Sequence, residues 1–320
     1  MSVSDAVRIS VGEGSPEGTN SAYVLPERGV VIDPGPPSDA AWTALRDGIA
    51  DADLALEDVA HVFVTHWHID HAGLTARLAD RANASVHAHH DDAPLIGEYA
   101  TARERRLRRD RRVLERWGLP ESIRDDVLRG DTPSPLPDSF PVVRHEDGDT
   151  VAGIEFVHTP GHTGGHVSLR TGEAVFLGDL LLPTYTPNVG GSDTRLEDPL
   201  GKYLSSVSRL ESTRQYGNPG HGTQIAIAEA IADVRRHHRE RAEAAFQAIS
   251  TVEAAETTPW EVARQLFGEM EGIHAKFGAG EAAAHLQRLA ALEIVERLEG
   301  ETVRYRPAVD SYPVGLSLTP

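Results

Sequence analysis

Short apolar runs alternate with amphipathic segments over the first part of the sequence. The β-branched runs at residues 8–11, 21–25 and 30–33 are separated by Gly and Pro, a pattern typical of antiparallel strands. Ser38 is placed to cap a helix that continues to about residue 50, and the apolar run 61–65 predicts a buried strand. Because strands and helices alternate, we predict a layered α/β domain.

The alternation resumes after a helical insertion. Residues 93–117 carry a helical pattern, and a Pro-rich extended connector follows at residues 132–137. We therefore predict an Arg-rich helical insertion over about residues 91–137, between the two halves of the sheet. The remaining elements predicted by pattern are helices at 72–81 and 200–211 and strands at 85–89, 154–158, 167–169 and 174–177.

The last part of the sequence has long amphipathic helices instead. Two alternating runs flank a Glu-Gly-Glu turn at residues 299–301, which is a hairpin signal. Helices followed by a two-stranded wing indicate a winged-helix-like domain over residues 236–320, behind a catalytic domain over residues 1–235. The helices predicted in this part lie at residues 225–249, 259–268 and 280–292.

Charge and composition exclude several classes of protein. The sequence has 31 Lys and Arg against 49 Asp and Glu, and the net charge of −18 opposes binding to the phosphate backbone of DNA. Such acidity is compatible with an acidic proteome in a salt-rich cytoplasm. Because there is no Cys, a metal must be held by nitrogen and oxygen. With no basic leader and no run of about eighteen apolar residues, we expect a cytoplasmic protein without a membrane partner.

Three imidazoles and one carboxylate lie within six positions directly after the predicted strand at residues 61–65. They are His66, His68, Asp70 and His71. In an extended chain the first two side chains point to the same side, and the following turn can aim the last two at a second point about 3.5 to 4 Å away, the spacing of a two-metal site. One short loop can thus supply ligands to two ions.

Each ion needs about three or four protein donors, so further His or Asp residues are expected after later strands. His162 and Asp179 each follow a predicted strand, and His221 lies between two glycines. A glycine next to each of these residues suits a site where the backbone closely approaches the ligands. The sequence therefore predicts a metal centre completed by these three residues.

The order and spacing of these seven residues resemble the metallo-β-lactamase fold superfamily, in which a strand precedes His-x-His-x-Asp-His, a single His, a bridging Asp and a last His. The resemblance covers about residues 5–225 and implies an αββα sandwich, and the tail resembles the winged-helix extension of the lactamase-like branch. It implies two divalent metal ions, expected to be Zn²⁺ with Fe or Mn as alternatives. The implied ligands are His66, His68 and His162 for one ion, Asp70, His71 and His221 for the other, and Asp179 as the bridge.

Two ions that share Asp179 would hold a hydroxide nucleophile, because each lowers the pKa of bound water from about 15.7 toward about 7. We expect Asp70 to be the catalytic residue that orients this hydroxide, and Asp33 to support the ligands from behind. An Asp at the bridging position is similar to the hydroxyacylglutathione hydrolase branch. That similarity implies hydrolysis of a small-molecule thioester or ester.

The alternative function rests on residues 103–116, which contain eight Arg in an otherwise acidic sequence. This stretch is either an ordinary solvated helix or a surface for an anionic substrate or RNA. The second interpretation indicates a phosphodiesterase or endoribonuclease acting on single-stranded RNA. Against it, residues 236–320 carry nine Lys or Arg and thirteen Asp or Glu, and the helix predicted at 280–292 offers only Arg288 as a cation.

His158 is left without an assignment, and the other remaining histidines are interpreted as structural or solvated, with one exception. His87, His89 and His90 form a cluster on a predicted strand, but the sequence indicates no matching carboxylate. His166 is the exception, because its position after His162 suits a residue that holds the ligand loop in place. No feature of the sequence predicts the oligomeric state.

Overall fold

Two six-stranded β-sheets pack face to face, with helices on both outer faces. A computed structural model describes residues 6–15, 18–172, 174–211, 215–250 and 256–320. Both sheets have apolar side chains on both faces. Each sheet is therefore covered by the other sheet on one face and by helices on the opposite face. The result is the αββα sandwich that the sequence predicts.

The first sheet follows chain order from one edge to the other. Its first three strands pair antiparallel, as predicted, and the next three are added in parallel. Because parallel strands end at the same edge of a sheet, the loops that follow the third and fourth strands meet there. The strands are β1 (Val7–Ser15), β2 (Gly18–Leu25), β3 (Val30–Ile32), β4 (His61–Phe63), β5 (Ser85–His89) and β6 (Val143–His145).

The second sheet is mostly antiparallel, with one parallel pair between its fourth and fifth strands. Its strand ends carry the loops of His162, Asp179 and His221. The strands are β7 (Thr150–Val151), β8 (Ile154–His158), β9 (Val167–Arg170), β10 (Val175–Gly178), β11 (Tyr216–Pro219) and β12 (Ile225–Ala226).

The helices form the outer layers and the C-terminal part of the chain. Ser38 caps the first helix by accepting a hydrogen bond from the Ala41 amide at 3.1 Å, as the sequence predicts. The helices are α1 (Asp39–Asp51), α2 (Ile69–Ala72), α3 (Thr75–Ala82), α4 (Ala93–Gly97), α5 (Tyr99–Arg116), α6 (Glu121–Gly130), α7 (Pro199–Leu210), α8 (Ile227–Ser250), α9 (Pro259–Phe267) and α10 (Gly272–Ala291).

The hydrophobic core lies in three layers. Between the sheets, Phe63 and Phe156 pack with ring centroids 5.5 Å apart, and truncating such a buried Phe to Ala costs about 3–5 kcal/mol. Helices α1 and α3 cover the first sheet. The second sheet shares one continuous core with α7, α8, the inserted helices and the C-terminal helices. The C-terminal part is therefore packed against the sandwich.

Helices followed by a hairpin form the C-terminal part in the predicted order. The hairpin pairs β13 (Val295–Leu298) with β14 (Arg304–Pro307), and Thr258 and Glu261 form a capping box at the start of α9. The predicted start of the last helix at residue 280 is wrong, because α10 begins at Gly272. A Cβ at Gly280 would lie 2.2 Å from Gly191, so glycine inside this helix permits close backbone packing.

The inserted segment also differs from its prediction. Instead of one helix over residues 93–117, the structure has α4 and α5, separated at Glu98, whose φ of −124° and ψ of 41° lie outside the helical region. Helix α6 was not predicted, because Pro120 and Gly130 bracket it and suggest a loop. Pro120 instead occupies the N-cap position, where a missing amide proton costs nothing.

Candidate metal centre

Asp33 holds the start of the His-rich segment in place where it follows β4. The Asp33 carboxylate accepts hydrogen bonds from the Thr65 amide at 2.8 Å and from the Thr65 hydroxyl at 2.7 Å. Its Oδ2 also lies 3.2 Å from His71 Nδ1. One buried carboxylate thus fixes the start of the loop and the ring orientation of a candidate ligand, which is the supporting position that the sequence predicts for Asp33.

His66, His68 and His162 form the first group of candidate donors. His68 Nδ1 lies 3.1 Å from His66 Nε2 and 3.0 Å from His162 Nε2. Nitrogens bound tetrahedrally to one ion at about 2.0 to 2.1 Å would be separated by about 3.3 Å, so the spacing fits a shared divalent metal. Burial and the neighbouring imidazoles lower the pKa of His68 to about 3, which favours the neutral ring that binds metals.

Asp70, His71 and His221 form the second group. His71 Nε2 lies 3.2 Å from His221 Nε2, and Asp70 Oδ2 lies 3.5 and 3.4 Å from these two nitrogens. Burial opposes protonation here, but contacts with Asp179 and Asp70 raise the pKa of His221 to about 9. The carboxylates of Asp70 and Asp179 therefore need a cation, and a divalent ion can replace the protons on the imidazoles.

Asp179 lies between the two groups. Its Oδ1 is 3.4 Å from His71 Nε2, and its Oδ2 is 3.5 Å from His221 Nε2 and 3.8 Å from His162 Nε2. Burial raises the pKa of the Asp179 carboxyl, but His71 and His221 hold it well below its usual range. Among the described residues Oδ1 is buried without a hydrogen-bond partner, a costly state for a carboxylate that bound metal would relieve.

Further side chains hold these donors in place. Asn20 Nδ2 donates to Asp70 Oδ2 at 3.0 Å, and the Asp179 amide donates to His166 Nε2 at 3.0 Å. His162 Nδ1 lies 2.9 Å from the Asn188 carbonyl oxygen. These contacts fix ligand orientation, as is usual around protein metals. The loop-holding position of His166 agrees with its prediction, whereas nothing in the sequence pointed to Asn20.

Asp92 joins the two ligand loops, a role that no sequence motif indicates. Its carboxylate accepts hydrogen bonds from the Trp67 amide at 3.2 Å, the Thr163 hydroxyl at 2.6 Å and the Gly165 amide at 2.9 Å. Arg195 pairs with the same carboxylate. Asp92 thus connects the segment of His66 and His68 to the segment of His162.

The cluster at the end of β5 has carboxylates that the sequence did not indicate, so the interpretation that none matches is wrong. His90 lies 3.1 Å from both Asp91 and Glu146, and these carboxylates are exposed. His89 stacks on His158 with ring centroids 3.9 Å apart. His87 instead joins a row of buried or partly buried imidazoles between the sheets.

A cavity of about 440 Å³ opens over the donor groups. Five of the seven candidate ligands line it, so a small molecule in the cavity would reach the metal centre. These five are His68, Asp70, His162, Asp179 and His221. The other walls come from the insertion, the segment before α7 and α10, which brings the C-terminal part of the chain to the site.

Comparison with known families agrees with the fold and the donor groups. The family model described as the metallo-beta-lactamase superfamily matches residues 14–215. The chain belongs to the metallo-β-lactamase superfamily. Membership supports divalent metal binding by the donor groups described above.

Relatives within the superfamily match nearly the whole chain. A probable metallo-hydrolase of Bacillus subtilis, YqjP, is 28% identical and covers 96% of this chain and 99% of its own length. The metallo-beta-lactamase family protein TTHA1429 from Thermus thermophilus superimposes with a TM-score of 0.76 at 26% identity, covering 95% of this chain and 98% of that protein. Matches of this coverage extend into the C-terminal helices.

A third relative has a more specific name. It is an atrochrysone carboxyl ACP thioesterase of Claviceps purpurea, 24% identical over 72% of this chain, and the match spans 60% of that protein. In the described part of this metallo-β-lactamase superfamily chain, no helix is long and apolar enough to cross a membrane.

Proposed function

We propose that this chain is a hydrolase of a small thioester or ester that uses two divalent ions, with Zn²⁺ as the expected metal. The observation that carries the proposal is the position of Asp179, whose two carboxylate oxygens face imidazoles of both donor groups. A shared carboxylate of this kind suits a pair of ions a few ångströms apart. The proposed ligands are His66, His68, His71, His162, His221, Asp70 and Asp179.

When bound, the two ions would supply Lewis acidity and a water molecule of lowered pKa. The protein's own part is orientation. Asp70 lines the cavity and is held by Asn20, so we propose it as the catalytic carboxylate that accepts a hydrogen bond from the attacking water. Hydrolysis joins the water oxygen to the acyl carbon, breaks the C–S or C–O bond and returns a proton to the leaving group.

The cavity supports a small acyl substrate. Its volume lies in the range of small-molecule sites, and apolar side chains such as Trp67, Leu182 and Phe277 form part of its wall. The thioesterase relative acts, by its name, on an acyl carrier protein, so its chemistry supports a thioester. We also propose that residues 236–320 form the winged-helix-like domain predicted from sequence, which here contributes α10 to the cavity.

The RNA alternative loses support from the contacts of the Arg-rich helix. Arg103 and Arg106 are largely buried in ion pairs, and Arg116 pairs with Glu299. Five of the eight arginines of this helix are in ion pairs, which leaves fewer of them for a phosphate backbone.

The test is a parallel assay of metal-loaded protein on acyl thioesters, acyl esters and single-stranded RNA. We expect thioester or ester turnover that is lost on chelation and restored by added metal, with no RNA cleavage. His68→Ala protein is the matched control for contaminating hydrolases. Metal-dependent RNA cleavage without acyl hydrolysis would overturn the proposal in favour of the nuclease.

A further inference from the structure

A cluster of buried and partly buried charges lies beside the cavity and includes none of the candidate metal ligands. It consists of Arg103, Arg106, Asp110, Asp131 and Lys276, and we call it the cationic wall. Arg106, Asp131 and Lys276 line the cavity directly. The members come from α5, the connector after α6 and α10, so the wall exists only when the insertion and the C-terminal part pack together.

The pairing within the wall leaves a positive charge in excess. Lys276 Nζ donates to Asp110 at 2.8 Å, and Arg106 contacts Asp110 at 3.2 Å and Asp131 at 2.7 Å. Arg103 pairs with Asp131 at 2.9 Å. Three cations thus share two carboxylates. Asp110 also accepts from the Thr194 hydroxyl at 2.7 Å, which further occupies its oxygens.

The wall contains hydrogen-bond donors without a partner among the described residues. Arg106 Nε is buried without a hydrogen-bond partner among the described residues. An ammonium group has three donors, and the contact of Lys276 with Asp110 uses one of them. The side chains of Lys276 and Arg106 are only 4% and 12% exposed, so water screens their charges weakly.

The wall is adjacent to the metal-binding loop. The Arg106 guanidinium carbon lies 5.2 Å from the centre of the Trp67 ring, and Trp67 stands between two candidate ligands in sequence. Apolar side chains that include Leu136 and Ile273 line the same cavity. A molecule that spans the cavity would therefore meet metal ligands, an apolar surface and cations.

We propose that the cationic wall binds an anionic oxygen group, a carboxylate or a phosphate, on the same substrate whose ester or thioester is hydrolysed at the metal centre. A bound anion would balance the excess charge and use the free donors of Lys276. This inference rests on the proposed function and narrows it to acidic substrates. The small cavity favours a short acyl chain with a terminal carboxylate.

Steady-state kinetics with matched substrates test the proposal. Pentanoyl and glutaryl thioesters of N-acetylcysteamine have equal chain lengths and differ in a terminal methyl or carboxylate, while pentanoyl coenzyme A carries phosphate on the leaving group. Loss of one charged hydrogen bond costs about tenfold in affinity or more, so Lys276→Met should raise KM for an anionic substrate by about tenfold. We expect the neutral thioester to change less than about twofold, and Lys276→Arg to restore most of the loss.

Comparison of the two anionic substrates shows whether the bound anion belongs to the acyl group or to the leaving group. A selective loss on the glutaryl thioester supports an acyl carboxylate, and a selective loss on the coenzyme A thioester supports a leaving-group phosphate. Arg108→Gln is the matched control, because Arg108 lies on the exposed face of α5 and pairs with Glu104. It removes the same formal charge from the protein and should leave all KM values unchanged.

A binding measurement separates this inference from the proposed function. Calorimetry of the metal-loaded protein with glutarate and pentanoate should show tighter glutarate binding, and Lys276→Met should remove the difference. This result does not require turnover, so an absence of thioesterase activity would leave the test valid. Arg106→Gln repeats it if Lys276→Met fails to fold by circular dichroism. Equal effects on charged and neutral molecules in a folded variant would overturn the cationic wall as an anion site.

Discussion

The metal centre and the cationic wall line one cavity but are built in different ways. Four of the candidate metal donors come from one segment after β4 that runs into α2. The charges of the wall come from α5, the connector after α6 and α10. In the metal centre, carboxylate oxygens and imidazole nitrogens can donate electron pairs to a cation. In the wall, cations outnumber carboxylates. The comparison agrees with our proposal that the cavity orients its substrate by two opposite charge requirements.

The largest effect is expected from removing a nitrogen donor of the metal centre. His68→Ala should lower kcat/KM by about a thousandfold or more. The ion of the first group would lose one of its three imidazole ligands, and the residues of the second group are placed to bind the other ion. The αββα core supplies most of the stability of a domain this large, so circular dichroism should show a folded chain. Wild-type turnover in the folded variant would contradict the assignment of His68 as a ligand.

A smaller but more specific loss is expected at the residue between the donor groups. Asp179→Asn keeps the shape of the side chain but removes its charge, so we predict loss of at least one metal and a rate lower by about a hundredfold. Metal analysis alongside kinetics measures both effects. The control is Asp80→Asn on the exposed face of α3, which should change neither. If Asp179→Asn kept full metal and full rate, the bridging role would be wrong.

The support behind the ligand loops should matter less than the ligands themselves. Asp92→Asn weakens the hydrogen bonds to Thr163 and the Trp67 amide, so we expect metal affinity or kcat/KM to fall by about tenfold. Asp91→Asn changes the exposed neighbour and is the matched control. A shift in metal affinity measured by competition with a chelator distinguishes loop positioning from a general loss of stability. Equal effects in the two variants would argue against positioning.

The smallest effect is expected outside the cavity. Arg116 and Glu299 form an exposed ion pair, so Arg116→Gln should change the free energy of unfolding by less than about 1 kcal/mol and leave turnover unchanged. Chemical denaturation and the acyl assay measure these quantities. A large loss of activity would mean that the exposed face of α5 also binds substrate. The claim that only the arginines at the cavity matter for binding would then be wrong.

The grouping of the candidate metal donors was predictable because their residue types are concentrated locally. Four donors follow one strand within six positions, and Asp179 and His221 each have a neighbouring glycine. Such residue types rarely gather without a metal. The donor set therefore followed from motif and order. Hydrophobic periodicity predicted the alternation of strands and helices, and the resemblance to the superfamily implied the αββα arrangement.

The cationic wall and the supporting residues were not predictable in this way. Lys276 and Asp110 are 166 positions apart, and neither belongs to a motif. Helix α10 begins before its predicted start because Gly280 packs against Gly191, a contact that depends on tertiary structure. From the local pattern, a glycine predicts the end of a helix. Inside a helix it becomes favourable only when a distant segment packs closely against it. The two-domain division and the winged-helix-like assignment remain predictions.

The metal content of the wild-type protein tests the two-ion centre most directly. Protein purified without chelators, saturated with Zn²⁺ and passed through a desalting column should retain about two ions per chain, because the donor groups exceed what one ion needs. Glu146→Gln, which removes the exposed carboxylate beside His90, should retain the same number and so exclude weak binding there. One ion per chain under saturating conditions would contradict the shared role of Asp179 and the mechanism built on it.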